Sequence, residues 1–267
     1  MKSPMQAAVL VSGGGTNLQA LIDFENSFTK NSCAGNSNAE NSCCENSFAE
    51  NAHAPYSPSE NSRSENFRAP HLQNANSRVE NLQNANSLCP YHLALVLSDR
   101  KDAFALERAK KAGIQTALIS AREVLGENFK NFSRDEKRLA ISNAALFLCQ
   151  KNAIDAIVLA GFLTVLSGEI IKVYANKIVN LHPALLPKFG GEGMWGHHVH
   201  EAVLAAREKE SGCTVHLVDA GCDTGRILVQ KKVPVLAGDT PETLYARIAP
   251  LEHGALIEGV CELAKNF

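Results

Sequence analysis

Short apolar runs alternate with amphipathic stretches along most of this chain, and that rhythm constrains the fold more than any other feature. The runs AAVLVS (7–12), LALVLSD (93–99), QTALIS (115–120), AIVLAG (156–161) and IVNLHP (178–183) are brief and nearly unbroken. Helical patterns lie between them, from Asn17, near 103–112, near 134–151 and near 167–175. A strand apolar on both sides must be covered on both faces, so the pattern predicts an α/β fold with a mostly parallel sheet between helices. Two further extended stretches, GCTVHLVDA (212–220) and ILVQKKVPVL (227–236), are joined by the short segment Cys222 to Arg226 and predict a hairpin that widens the sheet. A last helix is expected over 241–264, with Asp239 and Thr240 as cap candidates and Pro241 in its first turn.

The rhythm stops between Glu25 and Cys89. There the chain falls into thirteen five-residue units, ENSFT, KNSCA, GNSNA and so on, with Asn second in eleven of them. Fourteen Asn and eleven Ser stand against four Leu or Val, too little apolar surface to offset the entropy lost on ordering. A period of five also suits a pentapeptide solenoid, but its interior positions here are mostly Ser and Glu, which would be buried without partners. A tandem duplication inside a surface loop produces the same period at little thermodynamic cost. The expectation is one domain over 1–267, interrupted at 25–89 by a low-complexity insertion, disordered or loosely structured.

Composition narrows the partners. Lys and Arg total 26 against 28 Asp and Glu, a formal charge of −2, which lacks the basic surface that non-specific nucleic-acid binding uses. The first apolar run, Ala7 to Val11, is too short for a signal-peptide core, and nothing later approaches the roughly 20 residues of a membrane span. The eight cysteines form no CxxC pair and read as reduced thiols. A cytoplasmic protein with small-molecule partners, and no nucleic acid or membrane, is expected.

In open parallel sheets ligands bind beyond the carboxyl ends of the strands, so the residues after each run carry the functional reading. After the first run comes Ser12-Gly13-Gly14-Gly15-Thr16-Asn17. Glycines let backbone amides approach a ligand, and a helix start adds unpaired N–H groups that suit a phosphate. The segment matches neither the dinucleotide nor the triphosphate fingerprint, and a plain connecting turn has the same composition. After the fifth run comes Asn180-Leu181-His182-Pro183, where period-two alternation puts Asn180 and His182 on one side of the strand. An amide beside an imidazole suits a carbonyl-centred reaction: one stabilises an oxyanion, the other moves a proton. Asp223, ahead of Gly225, is the candidate third partner, and a carboxylate beside the imidazole is expected to raise its pKa.

Taken together, SGGGTNLQALID (12–23), SDRKDAFALERAKKAGI (98–114), VLAGFLTVLS (158–167), VNLHPALLPKF (179–189), GCTVHLVDAGCDTG (212–225) and VPVLAGDTPETLYARI (233–248) resemble, in order and spacing, the folate-dependent phosphoribosylglycinamide formyltransferase family. The resemblance covers essentially all of the chain outside the repeat. It implies a Rossmann-like formyltransferase domain, monomeric or homodimeric, that transfers a formyl group from 10-formyltetrahydrofolate to the amine of 5'-phosphoribosylglycinamide in purine biosynthesis. It further implies that Gly15, Thr16 and Asn17 hold the ribotide phosphate, that Glu252 contacts the ribotide, and that Asn180, His182 and Asp223 are catalytic. Arg134 and Leu163, Thr164, Val165 and Leu166 would line the folate pocket together with Asn180, and no metal is implied.

Two departures stand out. The segment Phe189 to His200 is a few residues longer than the family's, and its His197, His198 and His200 invite a metal reading for which no matching carboxylate or Cys pair is evident in the sequence. Arg226 stands where the family usually has proline, either on the surface or as an extra charge near the folate tail. Methionyl-tRNA formyltransferases and formyltetrahydrofolate hydrolases share the Asn-His-Asp set but carry a further basic barrel or regulatory domain, for which these 267 residues leave no room. A non-enzymatic binding module built on the repeat is the alternative of a different class, and the filled Asn180, His182 and Asp223 set argues against it.

Overall fold

A computed structural model describes residues 3–33 and 88–267 of the chain. Among these, seven strands form one sheet in the order β3-β2-β1-β4-β5-β6-β7. They are β1 Met5–Val11, β2 Tyr91–Ser98, β3 Gln115–Leu118, β4 Ala156–Leu159, β5 Ile178–His182, β6 Glu210–Leu217 and β7 Ile227–Pro234. The first five run parallel, while β6 pairs antiparallel with β5 and β7 antiparallel with β6. The helices are α1 Thr16–Cys33, α2 Phe104–Lys111, α3 Ala121–Leu125, α4 Arg134–Lys151, α5 Glu169–Val173, α6 His197–Ala205 and α7 Pro241–Ala264.

The sheet separates two cores, and the alternation along each strand decides which residue joins which. Ala7, Val9 and Val11 of β1, Ala156 and Val158 of β4, and Val179 and Leu181 of β5 pack on one side with α1 and α7. Ala8, Leu10, Ile157, Leu159 and Ile178 pack on the other with α4 and α5. Continuous apolar strands are therefore needed, as the sequence rhythm required. Asn180 and His182 extend the row begun by Ile178, so two polar groups replace core residues where β5 reaches the carboxyl edge.

Most elements fall where the sequence placed them, within a few residues. The helix expected near 167–175 shortens to Glu169–Val173, because Gly168 turns the chain at φ 77° and the Ser167 N–H is taken by Ser142 Oγ at 3.0 Å. The short helix α3, the 3-10 turn Glu127–Asn131 and α6 were not anticipated. At the start of α7, the Thr240 hydroxyl accepts from the Thr243 N–H, and Asp239 binds Arg247 through two 2.8 Å hydrogen bonds.

The repeat begins inside a helix. Helix α1 continues through Glu25 to Cys33, and Phe28 packs against the core beside Phe24. Glu25 accepts from the Leu93 N–H at 3.2 Å and pairs with His92 Nδ1 at 2.7 Å. A register shift between Ala7 and Ala8 sits at this point of the β1–β2 ladder. The first unit of the repeat thus belongs to the folded domain, and the expected disordered or loosely structured insertion lies, from residue 34 to 87, outside the described residues.

Candidate active site

The topology reverses between β1 and β4, and the loops after these strands meet there: the Ser12 N–H donates to the Gly161 carbonyl at 3.0 Å. A cleft of about 630 Å³ opens above this point. Gly15, Thr16, Asn17, Arg134, Leu163, Thr164, Val165, Leu166, Asn180, His182, Asp223 and Glu252 all line it, so the structure brings every sequence-predicted site residue to one cavity.

Asp223 sits at the centre of the polar cluster. The chain takes φ 58° there, and Gly225 lets the following turn press against the Leu217 carbonyl where a Cβ would collide. Asp223 Oδ2 lies 3.5 Å from His182 Nδ1 and accepts from the Gly191 N–H at 3.0 Å, while Oδ1 lies 3.4 Å from His216 Nε2. Burial alone would raise the Asp223 carboxyl, but the hydrogen bonds from His216 and Gly191 outweigh it and the pKa is lowered.

His182 is 3% exposed, and its Nε2 stands 2.8 Å from the Phe189 carbonyl. A carbonyl only accepts, so Nε2 carries the proton and Nδ1 faces Asp223. The carboxylate was expected to raise the His182 pKa; instead the pKa is lowered, because burial outweighs Asp223 and the Phe189 bond, and His216 adds to the lowering. The carboxylate is visible in the sequence motif, whereas the cost of desolvating the imidazolium arises only from the fold.

His216, which the sequence reading passed over, faces Asn180 across the β5–β6 register with Nε2 3.1 Å from Asn180 Nδ2. Its Nδ1 is 2.9 Å from the Leu217 carbonyl, which fixes that nitrogen as the donor and leaves Nε2 to accept from Asn180 when the ring is neutral. The signal was available: Thr214 and His216 alternate at period two with the apolar Cys213, Val215 and Leu217. Asp99 was missed as well. Its carboxylate accepts from Ser12 Oγ at 2.6 Å and Thr164 Oγ1 at 2.7 Å, and Ser12 Oγ accepts from the Leu163 N–H at 2.8 Å, which ties the glycine loop to the 163–166 loop.

At the other end of the cleft, Asn17 Nδ2 donates to Glu252 Oε2 at 3.2 Å, and burial raises the Glu252 carboxyl although that bond opposes it. Asn17 Oδ1 and His200 Nδ1 are buried without a partner among the described residues. His200 packs on Tyr245 at 5.6 Å, whereas His197 and His198 pair with Glu201, and His197 also with Glu242 at 3.2 Å. Carboxylates do therefore accompany these histidines, yet among the described residues no cluster has the geometry of a metal site. Arg134 and Arg138 both reach Glu192 of the long loop, at 3.7 and 3.5 Å. Arg226 is exposed on the hairpin and does not line the cleft.

The model of the family described as formyl transferase matches residues 72–260. The chain belongs to the formyl transferase family. Within that family, phosphoribosylglycinamide formyltransferase of Escherichia coli (strain K12) is 37% identical over 158 residues, 59% of this chain and 67% of that protein. The trifunctional purine biosynthetic protein adenosine-3 of Drosophila pseudoobscura pseudoobscura is 41% identical over 175 residues, which are 65% of this chain and 12% of that protein. The crystal structure of a Brucella melitensis phosphoribosylglycinamide formyltransferase superposes with a TM-score of 0.64 at 30% identity, covering 98% of this chain and 96% of that one. The mixed, mostly parallel sheet is thus the Rossmann-like arrangement of formyl transferases. No helix among the described residues is long and apolar enough to cross a membrane.

Proposed function

We propose that the chain transfers a formyl group from 10-formyltetrahydrofolate to the primary amine of 5'-phosphoribosylglycinamide, a step of de novo purine biosynthesis. The observation that carries this reading is the convergence of the glycine loop, the 163–166 loop and the Asn180, His182 and Asp223 cluster on one cleft. Its two ends differ in chemistry. Gly15, Thr16 and Asn17 offer backbone amides and a helix start to a phosphate, with Glu252 beside them for the ribotide. Leu163 and Val165 present exposed apolar surface to a planar ring system, and Arg134 with Arg138 offers cations to a folate's carboxylates.

The chemistry follows from the middle of the cleft. As the ribotide amine bonds to the formyl carbon, the carbonyl oxygen becomes an oxyanion, which Asn180 Nδ2–H and His182 Nε2–H stabilise, the latter exchanging the Phe189 carbonyl for it. Negative charge at that point draws a proton from solvent to His182 Nδ1, where Asp223 accepts it in a hydrogen bond and offsets the cost of burying the cation, and the proton returns to solvent as the oxyanion collapses. Collapse breaks the bond to the folate nitrogen, which takes up the proton lost by the attacking amine, carried through a water held by Asp223. His216 Nε2 lies within reach of both Asn180 and Asp223 and engages them in turn, accepting from Asn180 Nδ2 when the ring is neutral and donating to Asp223 Oδ1 when Nε2 carries a proton.

In this reading the partners are the two small molecules, and the protein works in the cytoplasm as a monomer or homodimer without nucleic acid or membrane, in keeping with its net charge of −2. The repeat interrupts one catalytic domain. The test is to incubate the full chain with formyl donor, with and without the ribotide. Formyl transfer only when the ribotide amine is present is expected; donor hydrolysis without it would assign a hydrolase.

A further inference from the structure

The glycine loop rests on the first turn of α2. The Ala105 N–H donates to the Gly13 carbonyl at 3.1 Å, and Arg108 Nε donates to the Gly14 carbonyl at 2.8 Å. Arg108 Nη1 reaches Gln19 Oε1 of α1 at 3.2 Å, and the guanidinium lies 5.0 Å above the Phe104 ring. Gly15 takes φ 73°, and a Cβ there would stand 2.5 Å from Ala105 Cβ. In a planar trans peptide the carbonyl of one residue and the N–H of the next point in opposite directions. Anchoring the Gly13 and Gly14 carbonyls on α2 therefore turns the Gly14 and Gly15 N–H groups away from it. Both glycines line the cleft, and Arg108 does not.

We propose that Arg108 is a positioning residue for the anion end of the cleft: by holding the Gly14 carbonyl it aims the Gly15 N–H at the phosphate monoester of the substrate. The inference rests on the reading of this loop as the phosphate seat. Three successive glycines have no side chains to bias their peptide planes, so either orientation of the Gly14–Gly15 peptide is open to the isolated loop. A charge-assisted bond to the carbonyl, braced by Gln19 and by the Phe104 ring, selects one orientation before the ligand arrives, and such preorganisation is read as affinity. A lysine at this place would keep the positive charge but lose the planar fork that spans Gly14 and Gln19 together.

The test compares Arg108→Lys and Arg108→Gln with the wild-type full chain in steady-state kinetics, and inorganic phosphate as an inhibitor competing with the ribotide. Both variants are expected to raise KM for the ribotide and the inhibition constant for phosphate about tenfold, the worth of one charge-assisted hydrogen bond, with kcat and the KM for the formyl donor nearly unchanged. Exogenous guanidinium should restore phosphate affinity in Arg108→Ala. Wild-type values in Arg108→Lys would show that only charge matters, and equal rises in both KM values would show general loosening; either overturns the proposal. With Asn17→Ala alongside, a ribotide KM raised there but not in the Arg108 variants rejects Arg108 and keeps the phosphate seat. If the wild type shows no ribotide-dependent transfer, the functional reading fails, and Arg108 is judged by phosphate binding alone, which must still weaken in Arg108→Lys.

Discussion

His182 lies between two acceptors, the Phe189 carbonyl 2.8 Å from Nε2 and the Asp223 carboxylate 3.5 Å from Nδ1. Only the doubly protonated ring donates to both, yet burial holds the pKa below its ordinary value of 6.5. The ring is therefore neutral near pH 7 and ready to take a proton once negative charge develops beside it. In a histidine-labelled sample, the His182 resonance should titrate with a midpoint below 6.5. Asp223→Asn, which removes the group that opposes burial, should move it lower still; a midpoint above 6.5 would reverse the sign assigned here.

Replacing Asn180, His182 or Asp223 with alanine should leave a folded protein that binds both substrates but turns over about 10²–10³ times more slowly, the cost of one oxyanion donor. Double variants should lose less than the product of the single losses, because the groups act on the same charge. Calorimetric binding and single-turnover rates check the two halves of this outcome. Near-normal turnover in His182→Ala would reduce this histidine to a packing residue.

His200 gives a prediction for stability. Buried on Tyr245 and facing His197 and His182, it has a pKa lowered from 6.5 to about 4 by burial first and the other histidines second. In the unfolded chain it binds a proton below 6.5, whereas the folded chain resists doing so until about 4. Its contribution to stability is thus fully present above 6.5 and is lost as pH falls through this window, with a slope of at most about 1.4 kcal/mol per pH unit. Urea unfolding between pH 4 and 7 should show a slope in His200→Phe that is flatter than the wild type's, to which the buried His182 and His253 also contribute.

Two deletions separate the repeat from the domain. Removing residues 34–87 with a flexible linker should keep formyl transfer near the full-length rate. Removing 25–89 discards Glu25 and Phe28 and leaves the Leu93 N–H without its acceptor, and should lower the melting temperature. Loss of activity in the shorter deletion, with the protein folded, would assign the repeat a catalytic part.

The sheet was legible because parallel strands buried on both faces leave an unambiguous trace, and Asn180 and His182 were legible as polar intrusions at the end of one such strand. His216 was harder, because its meaning depends on the antiparallel register that sets it opposite Asn180. Asp99 joins loops after β1 and β4 from a third, after β2, so only the strand order discloses it. The His182 pKa was misjudged for a related reason: a carboxylate neighbour is visible in a motif, but burial is a property of the whole fold. The boundary at Glu25 fell inside helix α1, which runs on to Cys33 into the first units of a repeat whose composition argues against structure, with Glu25 and Phe28 packed on the domain.

Helix α1 leaves the carboxyl edge of the sheet at the glycine loop and runs 18 residues, about 27 Å, before Cys33. The chain is described again from Leu88, and Pro90 pairs with Met5 at the opposite, amino-terminal edge. Both points where the intervening segment attaches therefore lie a full strand length away from the chemistry, at a crossover already spanned by its own helix. A fluorescent reporter or an affinity module grafted between residues 33 and 88 would therefore attach at the edge opposite the cleft, and formyl transfer by such a fusion is expected to stay near the rate of the unmodified chain, which a steady-state assay checks.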